Sequence, residues 1–300
     1  MLDCIIIGAG PAGMAAAIYM ARQKLDFIVV SKTVGGQTLL SWEVGNYLGF
    51  QMLPGAELVK EFKEHMADYK IKIQEGEEVK SVNKTKTGFK VKTDKAEYEA
   101  RTLLVATGSK HRKLGIPGED EFYGKGVTYC ATCDAPLFGD KDVAVVGGGN
   151  SAMESALFAS KYSKNIYILN INPELTGDDD LIARVKKDEK IEIIPNAKTT
   201  EITGDKFVTG LKYKQDDEVK ELPIQGVFIE IGLIPVSEFI DIVKKDKWNQ
   251  IIVDKDNATD VEGVWAAGDV TDVTEKQIAV AVGEGAKASL KIIKYIDKLK

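Results

Sequence analysis

The chain has 300 residues, of which 44% are hydrophobic and 29% charged, and its formal net charge is −6. One hydrophobic core rarely keeps growing at this length, so two compact units are expected. The composition excludes a disordered chain, and the acidic balance offers no basic surface to nucleic acid. Three cysteines do not make the disulfide framework of a secreted domain, so a cytoplasmic protein is expected.

The first strand and helix could be mistaken for a membrane span. Residues 4–21 carry no charge, and this run approaches the length that crosses a bilayer. The glycines and proline of GAGPAG interrupt it, and Asp3 stands where a signal peptide would carry a basic residue. We therefore expect no membrane association.

One pattern occurs twice along the chain, in residues 8–30 and again in residues 147–169. Each copy follows an apolar strand, CIII at 4–7 or VAVV at 143–146, and passes through a G-x-G-x-x-G/A turn into an alanine-rich helix and a second apolar strand. Such a turn brings the backbone close to a pyrophosphate, and the helix directs its first N–H groups at the phosphates. The repeat predicts two dinucleotide sites, whose turns contain Gly8, Gly10, Gly13, Gly147, Gly149 and Ala152.

Two later strand ends, TLLVATGSK at 102–110 and GVWAAGDVT at 263–271, resemble each other. Each is an apolar run ending on small residues, as expected where a strand meets a ligand crevice, and Asp269 is placed to hold a ligand hydroxyl. Alternating segments such as FKVKT at 89–93 indicate small antiparallel sheets. The predicted fold class is α/β, with two Rossmann-like dinucleotide-binding domains of three layers (ββα). The second, residues 113–240, is inserted in the first, residues 1–112 and 241–300.

Two cysteines, Cys130 and Cys133, are separated by two residues within GVTYCATCDAPLF. This spacing suits a small disulfide ring and often accompanies a lowered thiol pKa, although two unpaired structural thiols are the other interpretation. A zinc or iron–sulfur site needs about four soft ligands, so no metal is predicted. Asp134, beside the pair, is either a helix N-cap or an acid that returns a proton to a thiolate. Cys4, inside the first strand, is expected to be a small buried hydrophobe.

Two dinucleotide sites and a redox dithiol predict a relay from a nicotinamide through a flavin and the dithiol to an outside partner. Eight segments carry a family resemblance: GAGPAG at 8–13, GGQ at 35–37, NYLGF at 46–50, ATG at 106–108, GVTYCATCD at 126–134, GGGNSAMESAL at 147–157, AAGDV at 266–270 and KQIAVAVGEGAKAS at 276–289. With these segments the chain resembles the low-molecular-weight thioredoxin reductases. It is more closely similar to the flavoprotein portion of the alkyl hydroperoxide reductase large subunit, and the resemblance covers essentially all of the chain.

The resemblance implies a flavin-dependent thioredoxin-disulfide reductase that binds FAD in the discontinuous domain and a nicotinamide nucleotide in the inserted domain. Cys133 would be the sulfur that faces the flavin, Cys130 the thiolate that attacks the partner disulfide, and Asp134 the general acid. The residues implied to line FAD are Gly8, Gly10, Gly13, Gln37, Asn46, Thr107, Gly108, Asp269, Gln277 and Ile278. Those implied to hold the nicotinamide nucleotide are Gly147, Gly149, Ser151 and Glu154. A homodimer is implied, with a thioredoxin- or glutaredoxin-like partner that could in turn supply a peroxiredoxin.

The second nucleotide-binding strand ends in YILNINPELT, residues 167–176, which contains no basic residue. NADPH-using thioredoxin reductases carry a His-Arg-Arg…Arg run that binds the 2′-phosphate, and its positions fall here on Asn170, Ile171, Asn172 and Thr176. An acidic run at 178–180 follows, so a 2′-phosphate is disfavoured. An NADH site usually has an acid at this strand end, whereas Asn170 offers an amide oxygen to the ribose or only caps the following loop. The pattern favours NADH over NADPH.

Three other functions remain open from the sequence. The same fold could be driven by a non-nicotinamide donor such as reduced ferredoxin, although the intact GGGNSAMES at 147–155 argues for a nicotinamide. An NADH oxidase would deliver electrons to oxygen without needing the dithiol. A flavin-based redox sensor would bind a partner without turnover, although no output domain is visible in the sequence.

Overall fold

The structure is a computed structural model that describes residues 1–41 and 44–299, so the predicted domain end at residue 300 lies outside the described residues. Two compact units are formed, one by Met1–Lys110 with Ile234–Lys300 and the other by His111–Leu233. The strands are β1 (Leu2–Ala9), β2 (Phe27–Val34), β3 (Ile73–Glu75), β4 (Val79–Lys84), β5 (Phe89–Thr93), β6 (Glu97–Val105), β7 (Ser109–His111), β8 (Val127–Thr128), β9 (Asp142–Val146), β10 (Asn165–Leu169), β11 (Ile191–Ile194), β12 (Lys198–Gly204), β13 (Val208–Gln215), β14 (Glu218–Leu222), β15 (Gly226–Ile229), β16 (Leu233–Pro235) and β17 (Val264–Ala266). The α-helices are α1 (Pro11–Arg22), α2 (Gly55–Asp68), α3 (Ala131–Asp134), α4 (Asn150–Ala159), α5 (Asp179–Lys187) and α6 (Ile278–Leu299), and short 3₁₀ helices span Gly36–Leu40 and Ala135–Phe138.

The first unit is built on a sheet in the order β3-β2-β1-β6-β5-β4, with β17 also paired to β6. Strand β6 is long enough to serve two partners on one edge. Its residues 97–100 pair antiparallel with β5, and its residues 103–105 pair in parallel with β17. The parallel part of the sheet therefore continues into an antiparallel meander of β4, β5 and the start of β6.

Strand β1 contributes to the cores on both faces of this sheet, because successive side chains of a strand point in opposite directions. Cys4 and Ile6 join the cluster that contains residues of α1 and α6, whereas Ile5 and Ile7 join the cluster that contains residues of β4 and β5. All four side chains are almost completely buried. Strand β1 is apolar throughout because it is covered on both sides, as is typical of a parallel strand.

The second unit repeats this construction with a parallel sheet in the order β11-β10-β9-β15-β8. Alternate residues of β9 again face two cores. Val143 and Val145 pack with residues of α4, while Ala144 and Val146 pack with residues of β12 and β13, which form a separate antiparallel sheet with β14. Each unit thus has helices on one face of a parallel sheet and antiparallel strands on the other, which confirms the predicted fold class.

The chain leaves the first unit after Lys110 and returns to it at Ile234, whereas the sequence placed these boundaries after residues 112 and 240. The return is earlier because the segment after β16 is bound to the first unit. The Val236 N–H donates to the carbonyl of Gly108, and the Thr107 hydroxyl donates to the carbonyl of Val236 at 2.6 Å. Ile240 is completely buried in the core beside β1.

Neither a membrane-spanning helix nor a cluster of metal ligands occurs within the described residues. None of the helices there combines the length and the apolar character needed to cross a membrane. In the same part of the chain, no group of three or more His, Cys, Asp or Glu side chains is arranged to hold a metal ion.

Candidate functional site

The turn between β1 and α1 has the geometry that a pyrophosphate requires. Gly8 has a φ of +109°, and a Cβ there would overlap the carbonyl of Ala106, so only glycine fits. A Cβ on Gly13 would overlap the carbonyl of Gly8, which explains how closely the helix approaches the turn. The residue that caps α1 is Gly10, which supplies no side-chain acceptor to the first N–H groups of the helix. These N–H groups suit the phosphates of a dinucleotide.

Polar side chains predicted to line FAD meet one another in the first unit. The Gln37 amide donates to a carboxylate oxygen of Asp269 at 3.1 Å and to the Ser109 hydroxyl at 3.1 Å. The Asn46 amide donates to the side-chain oxygen of Gln277 at 3.1 Å. Gln37 follows the second strand and Asp269 follows β17, so the fold unites residues that are far apart in sequence. This cluster fits the polar ribityl chain and ring of a flavin.

The remaining predicted FAD residues lie at the ends of the same elements. Thr107 and Gly108 follow β6, and the Thr107 hydroxyl is already used by the Val236 carbonyl. Gly108 has a φ of +68°, so its conformation favours glycine. Ile278 is the first residue of α6.

The half-buried Lys276 and the buried Glu284 accompany Asp269. Burial raises the pKa of the Asp269 carboxyl, while the charge of Lys276 opposes this shift. Burial also lowers the pKa of Lys276, and the carboxylates of Asp269 and Glu284 oppose that shift. Glu284 is 6% exposed and accepts a hydrogen bond from the Gly268 N–H at 2.7 Å. Sequence reasoning missed Glu284, although a lone carboxylate among the small residues of VAVGEGAKAS at 280–289 was a usable signal.

The turn between β9 and α4 repeats this arrangement in the second unit. Gly147 has a φ of +146°, and a Cβ there would overlap the carbonyl of Glu230. Helix α4 is capped by Gly149, again without a side-chain acceptor. Ser151 and Glu154 lie exposed on the first turns of α4, while Ala152 is completely buried. The turn suits a second dinucleotide for the same physical reasons as the first.

Asn170, at the end of β10, is 1% exposed and holds its own loop together. Its amide NH₂ donates to the carbonyl of Glu174 at 2.7 Å, and its amide oxygen accepts from the Asn172 N–H at 3.2 Å. The Thr176 N–H in turn donates to the carbonyl of Gly148 at 2.8 Å. A Cβ on Gly148 would overlap the Asn170 amide. The loop 170–176 therefore lies against the glycine turn, and Asn170 acts as its cap, one of the two roles considered from the sequence.

Cys130 and Cys133 form a disulfide, with 5.3 Å between their Cα atoms. The pair stands at the start of α3, and both residues are only partly buried. The N-cap of α3 is Cys130, whose sulfur accepts from the Cys133 N–H at 3.2 Å. Asp134 stands at the N-cap position of the following 3₁₀ helix but makes no side-chain capping hydrogen bond there. Instead, the Asp134 carboxylate accepts a hydrogen bond from the Thr128 hydroxyl, which also accepts from the Cys130 N–H at 3.2 Å. Thr128, which sequence reasoning missed, thus links the acid to the disulfide.

Tyr129, immediately before the disulfide, is held on two sides. Its ring stacks on His111 with a centroid distance of 4.8 Å, and its hydroxyl donates to Glu119 at 2.7 Å. Glu119 is 2% exposed and also accepts from the N–H groups of Leu114 and Gly115. Burial lowers the pKa of His111 to about 4, so this ring is neutral. No pattern in the sequence marks Glu119 or His111, because their contacts with Tyr129 follow neither a helix nor a strand period.

The third cysteine, Cys4, is completely buried in β1. Burial raises the pKa of its thiol to about 12, and a thiol held neutral in this way is a poor nucleophile. The prediction that Cys4 is a small buried hydrophobe is confirmed.

Residues 2–285 match the model of a family described as pyridine nucleotide-disulphide oxidoreductase. The chain belongs to this family. A member from Bacillus subtilis named NADH dehydrogenase is 38% identical over 98% of this chain, and so is an alkyl hydroperoxide reductase subunit of Staphylococcus epidermidis. The chain spans 58% and 59% of the lengths of these two relatives.

Among solved structures, the thioredoxin reductase of Streptococcus pyogenes superposes with a TM-score of 0.94 at 34% identity, covering 99% of both chains. The resemblance to thioredoxin reductases and to the hydroperoxide reductase subunit is thereby confirmed. Membership of the pyridine nucleotide-disulphide oxidoreductases implies FAD and a nicotinamide nucleotide. The two glycine turns and the polar cluster around Gln37 and Asp269 fit these cofactors.

Proposed function

We propose that the chain is an FAD-dependent reductase that takes electrons from NADH and passes them through Cys130 and Cys133 to the disulfide of a thioredoxin- or glutaredoxin-like protein. The observation that carries this proposal is the partly exposed disulfide, followed directly by a carboxylate and contained in the unit that has the second dinucleotide turn. A buried structural disulfide would need neither the acid nor the exposure. The reduced partner could supply a peroxiredoxin, as the hydroperoxide reductase relatives suggest.

The chain's own residues perform the thiol–disulfide exchange. FAD, when bound, would accept a hydride from the nicotinamide and reduce the disulfide. The Cys130 thiolate attacks one sulfur of the partner disulfide and displaces the other, which takes a proton from Asp134. Asp134 then takes the proton of the Cys133 thiol, and the resulting Cys133 thiolate attacks Cys130, which restores the internal disulfide. The partner's second sulfur leaves and takes this proton from Asp134, so the partner is released as a dithiol. The Thr128 hydroxyl orients the Asp134 carboxylate for the proton transfer.

NADH is proposed as the donor because the loop 170–176 contains no basic residue that could bind a 2′-phosphate. The acidic residues 178–180 begin α5 just beyond this loop, and their charge opposes a phosphate. The name of the Bacillus subtilis relative, NADH dehydrogenase, supports the same choice.

An anaerobic titration tests the proposal. The protein should be yellow as purified, and NADH should bleach the flavin at lower concentration than NADPH or reduced ferredoxin. With NADH and a thioredoxin, Cys130→Ser and Cys133→Ser should each lose partner reduction by at least about 10³-fold, because one thiol cannot complete the exchange. Both variants should keep stoichiometric FAD. Cys4→Ser is the matched control and should retain partner reduction.

Several results would contradict this proposal. Equal or better bleaching by NADPH would exclude the choice of NADH, and bleaching by reduced ferredoxin alone would exclude a nicotinamide donor. The relative named NADH dehydrogenase gives one reason to test an NADH oxidase. That activity would produce peroxide at an undiminished rate in the double variant Cys130→Ser/Cys133→Ser. No turnover with any donor or partner would favour a flavin-based sensor.

A homodimer in the cytoplasm is also proposed, on the resemblance to thioredoxin reductases alone. Light scattering during gel filtration measures the mass directly, and 32.8 kDa is the mass of one chain. A mass of one chain at micromolar concentration would contradict the dimer.

A further inference from the structure

Glu230 follows the strand that separates the two functional elements of the second unit. Strand β15 lies between β9, which leads to the glycine turn, and β8, which leads to the disulfide. Both pairings are parallel, so the carboxyl ends of these strands meet at one edge of the sheet. The residue that follows β15 must therefore lie between the glycine turn and the disulfide.

The Glu230 carboxyl contacts both elements. One of its oxygens accepts a hydrogen bond from the Ser155 hydroxyl of α4 at 2.6 Å. The carboxyl also accepts a hydrogen bond from the backbone N–H of Ala131, the residue after Cys130. Its own carbonyl lies so close to Gly147 that a Cβ there would overlap it. One half-buried acid thus joins α4, the helix of the dinucleotide turn, to residues 130–134, here called the redox segment.

This carboxyl changes its charge near neutral pH. Burial raises the pKa of Glu230 to about 7, the hydrogen bonds from Ser155 and Ala131 oppose this shift, and the charge of Glu154 adds to it. The other titratable groups on the elements that contact Glu230 are Asp134, Cys130 and Cys133 of the redox segment. The two cysteines titrate only after the disulfide is reduced.

We propose that Glu230 is a positioning residue that couples the redox state of the Cys130–Cys133 pair to its own protonation. The proposal rests on the proposed function, because it requires the pair to be redox-active. Reduction of the disulfide by two electrons breaks the S–S bond and leaves two sulfurs. If one becomes a thiol and the other a thiolate, one proton goes to the thiol and a second can go to the Glu230 carboxylate. The new negative charge on sulfur is then balanced by the loss of the one on Glu230.

The coupling predicts a pH-dependent difference between the wild type and Glu230→Gln. Glutamine keeps an oxygen that accepts from Ser155 and Ala131 but carries no charge. Below about pH 6 the wild-type carboxyl is protonated and the two proteins should be equally reducible. Above about pH 8 the wild-type carboxylate opposes the thiolate, so the variant pair should be more easily reduced, on the order of tenfold in equilibrium constant. If Glu230 acted only as a structural hydrogen-bond acceptor, the ratio of the two equilibrium constants for reduction would be the same at every pH.

The experiment equilibrates each purified, FAD-containing protein with mixtures of reduced and oxidised dithiothreitol between about pH 5.5 and 8.5. Thiols are then blocked by alkylation and counted by mass spectrometry, so the flavin does not contribute. The equilibrium constant for reduction of the variant is divided by that of the wild type, which removes the pH dependence of dithiothreitol itself. This ratio should rise from about one to about tenfold, with a midpoint above pH 7, because reduction of the pair raises the pKa of Glu230 further.

Ser155→Ala is the second variant, because it keeps the carboxyl and removes one hydrogen bond that stabilises the charged form. When the constant of Glu230→Gln is divided by that of Ser155→Ala, the ratio should rise at higher pH than with the wild type, because the pKa of Glu230 is higher without the Ser155 hydroxyl. A flat ratio across the pH range in both comparisons would overturn the coupling while leaving the reductase intact. A pair that is not reduced in any mixture, in any of the proteins, would overturn the proposed function and the coupling with it.

Discussion

At the scale of single residues, Asn170 occupies the position that normally selects the nicotinamide nucleotide. Its amide is 1% exposed, donates to the Glu174 carbonyl and accepts from the Asn172 N–H. An amide serves this site because it supplies a donor and an acceptor at once. A carboxylate, the usual residue of an NADH site, can only accept.

Asn170→Asp is therefore expected to weaken the protein rather than improve NADH binding. The introduced carboxylate would face the Glu174 carbonyl without a proton to donate. The protein would then contain a buried negative charge with no hydrogen-bond donor at this position. A loss of roughly 2–4 kcal/mol in the free energy of unfolding of the second unit is expected, measured by hydrogen exchange of β9 and β10. Asn172→Asp is the matched control, since Asn172 is exposed, and it should change stability by less than about 0.5 kcal/mol. Tighter NADH binding by Asn170→Asp, without loss of stability, would instead identify this residue as the ribose ligand.

At the scale of elements, each parallel sheet delivers a glycine turn whose backbone admits no side chain. Gly8 and Gly147 have positive φ angles, and each lies against the carbonyl of a neighbouring strand end. The same turn presents the uncapped start of a helix. The turn, rather than any one side chain, is therefore what makes each unit suited to a dinucleotide.

Gly8→Ala should prevent FAD retention, because the Cβ would meet the backbone of Ala106 in a conformation that alanine avoids. We expect a destabilisation of several kcal/mol in the first unit and a colourless purified protein. Gly283→Ala is the matched control: Gly283 lies in the exposed part of α6, where a Cβ would meet nothing within 4 Å. That variant should stay yellow and gain about 0.5–1 kcal/mol from its better helix propensity. FAD retained in full by Gly8→Ala would contradict the turn's role.

At the scale of the whole molecule, two acid–base groups of the second unit oppose each other. The pKa of Glu230 is raised from 4.5 to about 7, so its contribution to stability is complete below pH 4.5 and is lost as the pH rises to 7. The pKa of His111 is lowered from 6.5 to about 4, so its contribution is complete above pH 6.5 and is lost as the pH falls to 4. Between pH 4.5 and 6.5, Glu230 lowers the free energy of unfolding as the pH rises, whereas His111 raises it, so the two effects partly cancel.

A variant that lacks one of these groups should show only the pH dependence of stability that the other group causes. On acidification from pH 6.5 to 4.5, Glu230→Gln should lose stability in the second unit more steeply than the wild type, whereas His111→Phe should gain relative to it. Phenylalanine keeps the ring that stacks on Tyr129. Hydrogen exchange of β9 and β10 is the suitable measurement, because the second unit, residues 111–233, contains no tryptophan that could report on it by fluorescence. Identical pH profiles for the three proteins would show that neither group titrates as described.

The repeat in the sequence predicted the fold class and both glycine turns, and the spacing of Cys130 and Cys133 predicted the redox pair. These features could be read because each depends on neighbours along the chain: a strand, a turn and a helix, or two cysteines three positions apart. The domain return at Ile234 could not be read, because it depends on Val236 and Ile240 packing beside distant strands. The assignments of FAD and nicotinamide residues remain predictions that ligand-bound experiments must test.

Local sequence, then, determined what each segment of this protein is: apolar strands, glycine turns, helices and a two-cysteine ring. Tertiary structure decided which polar groups meet, such as Gln37 with Asp269 and Glu230 with Ser155 and Ala131. It also buries the amide of Asn170 against the loop that it caps. The physical reason is that secondary structure follows from short-range periodicity, whereas burial and hydrogen bonding between distant residues exist only after the strands have been placed side by side.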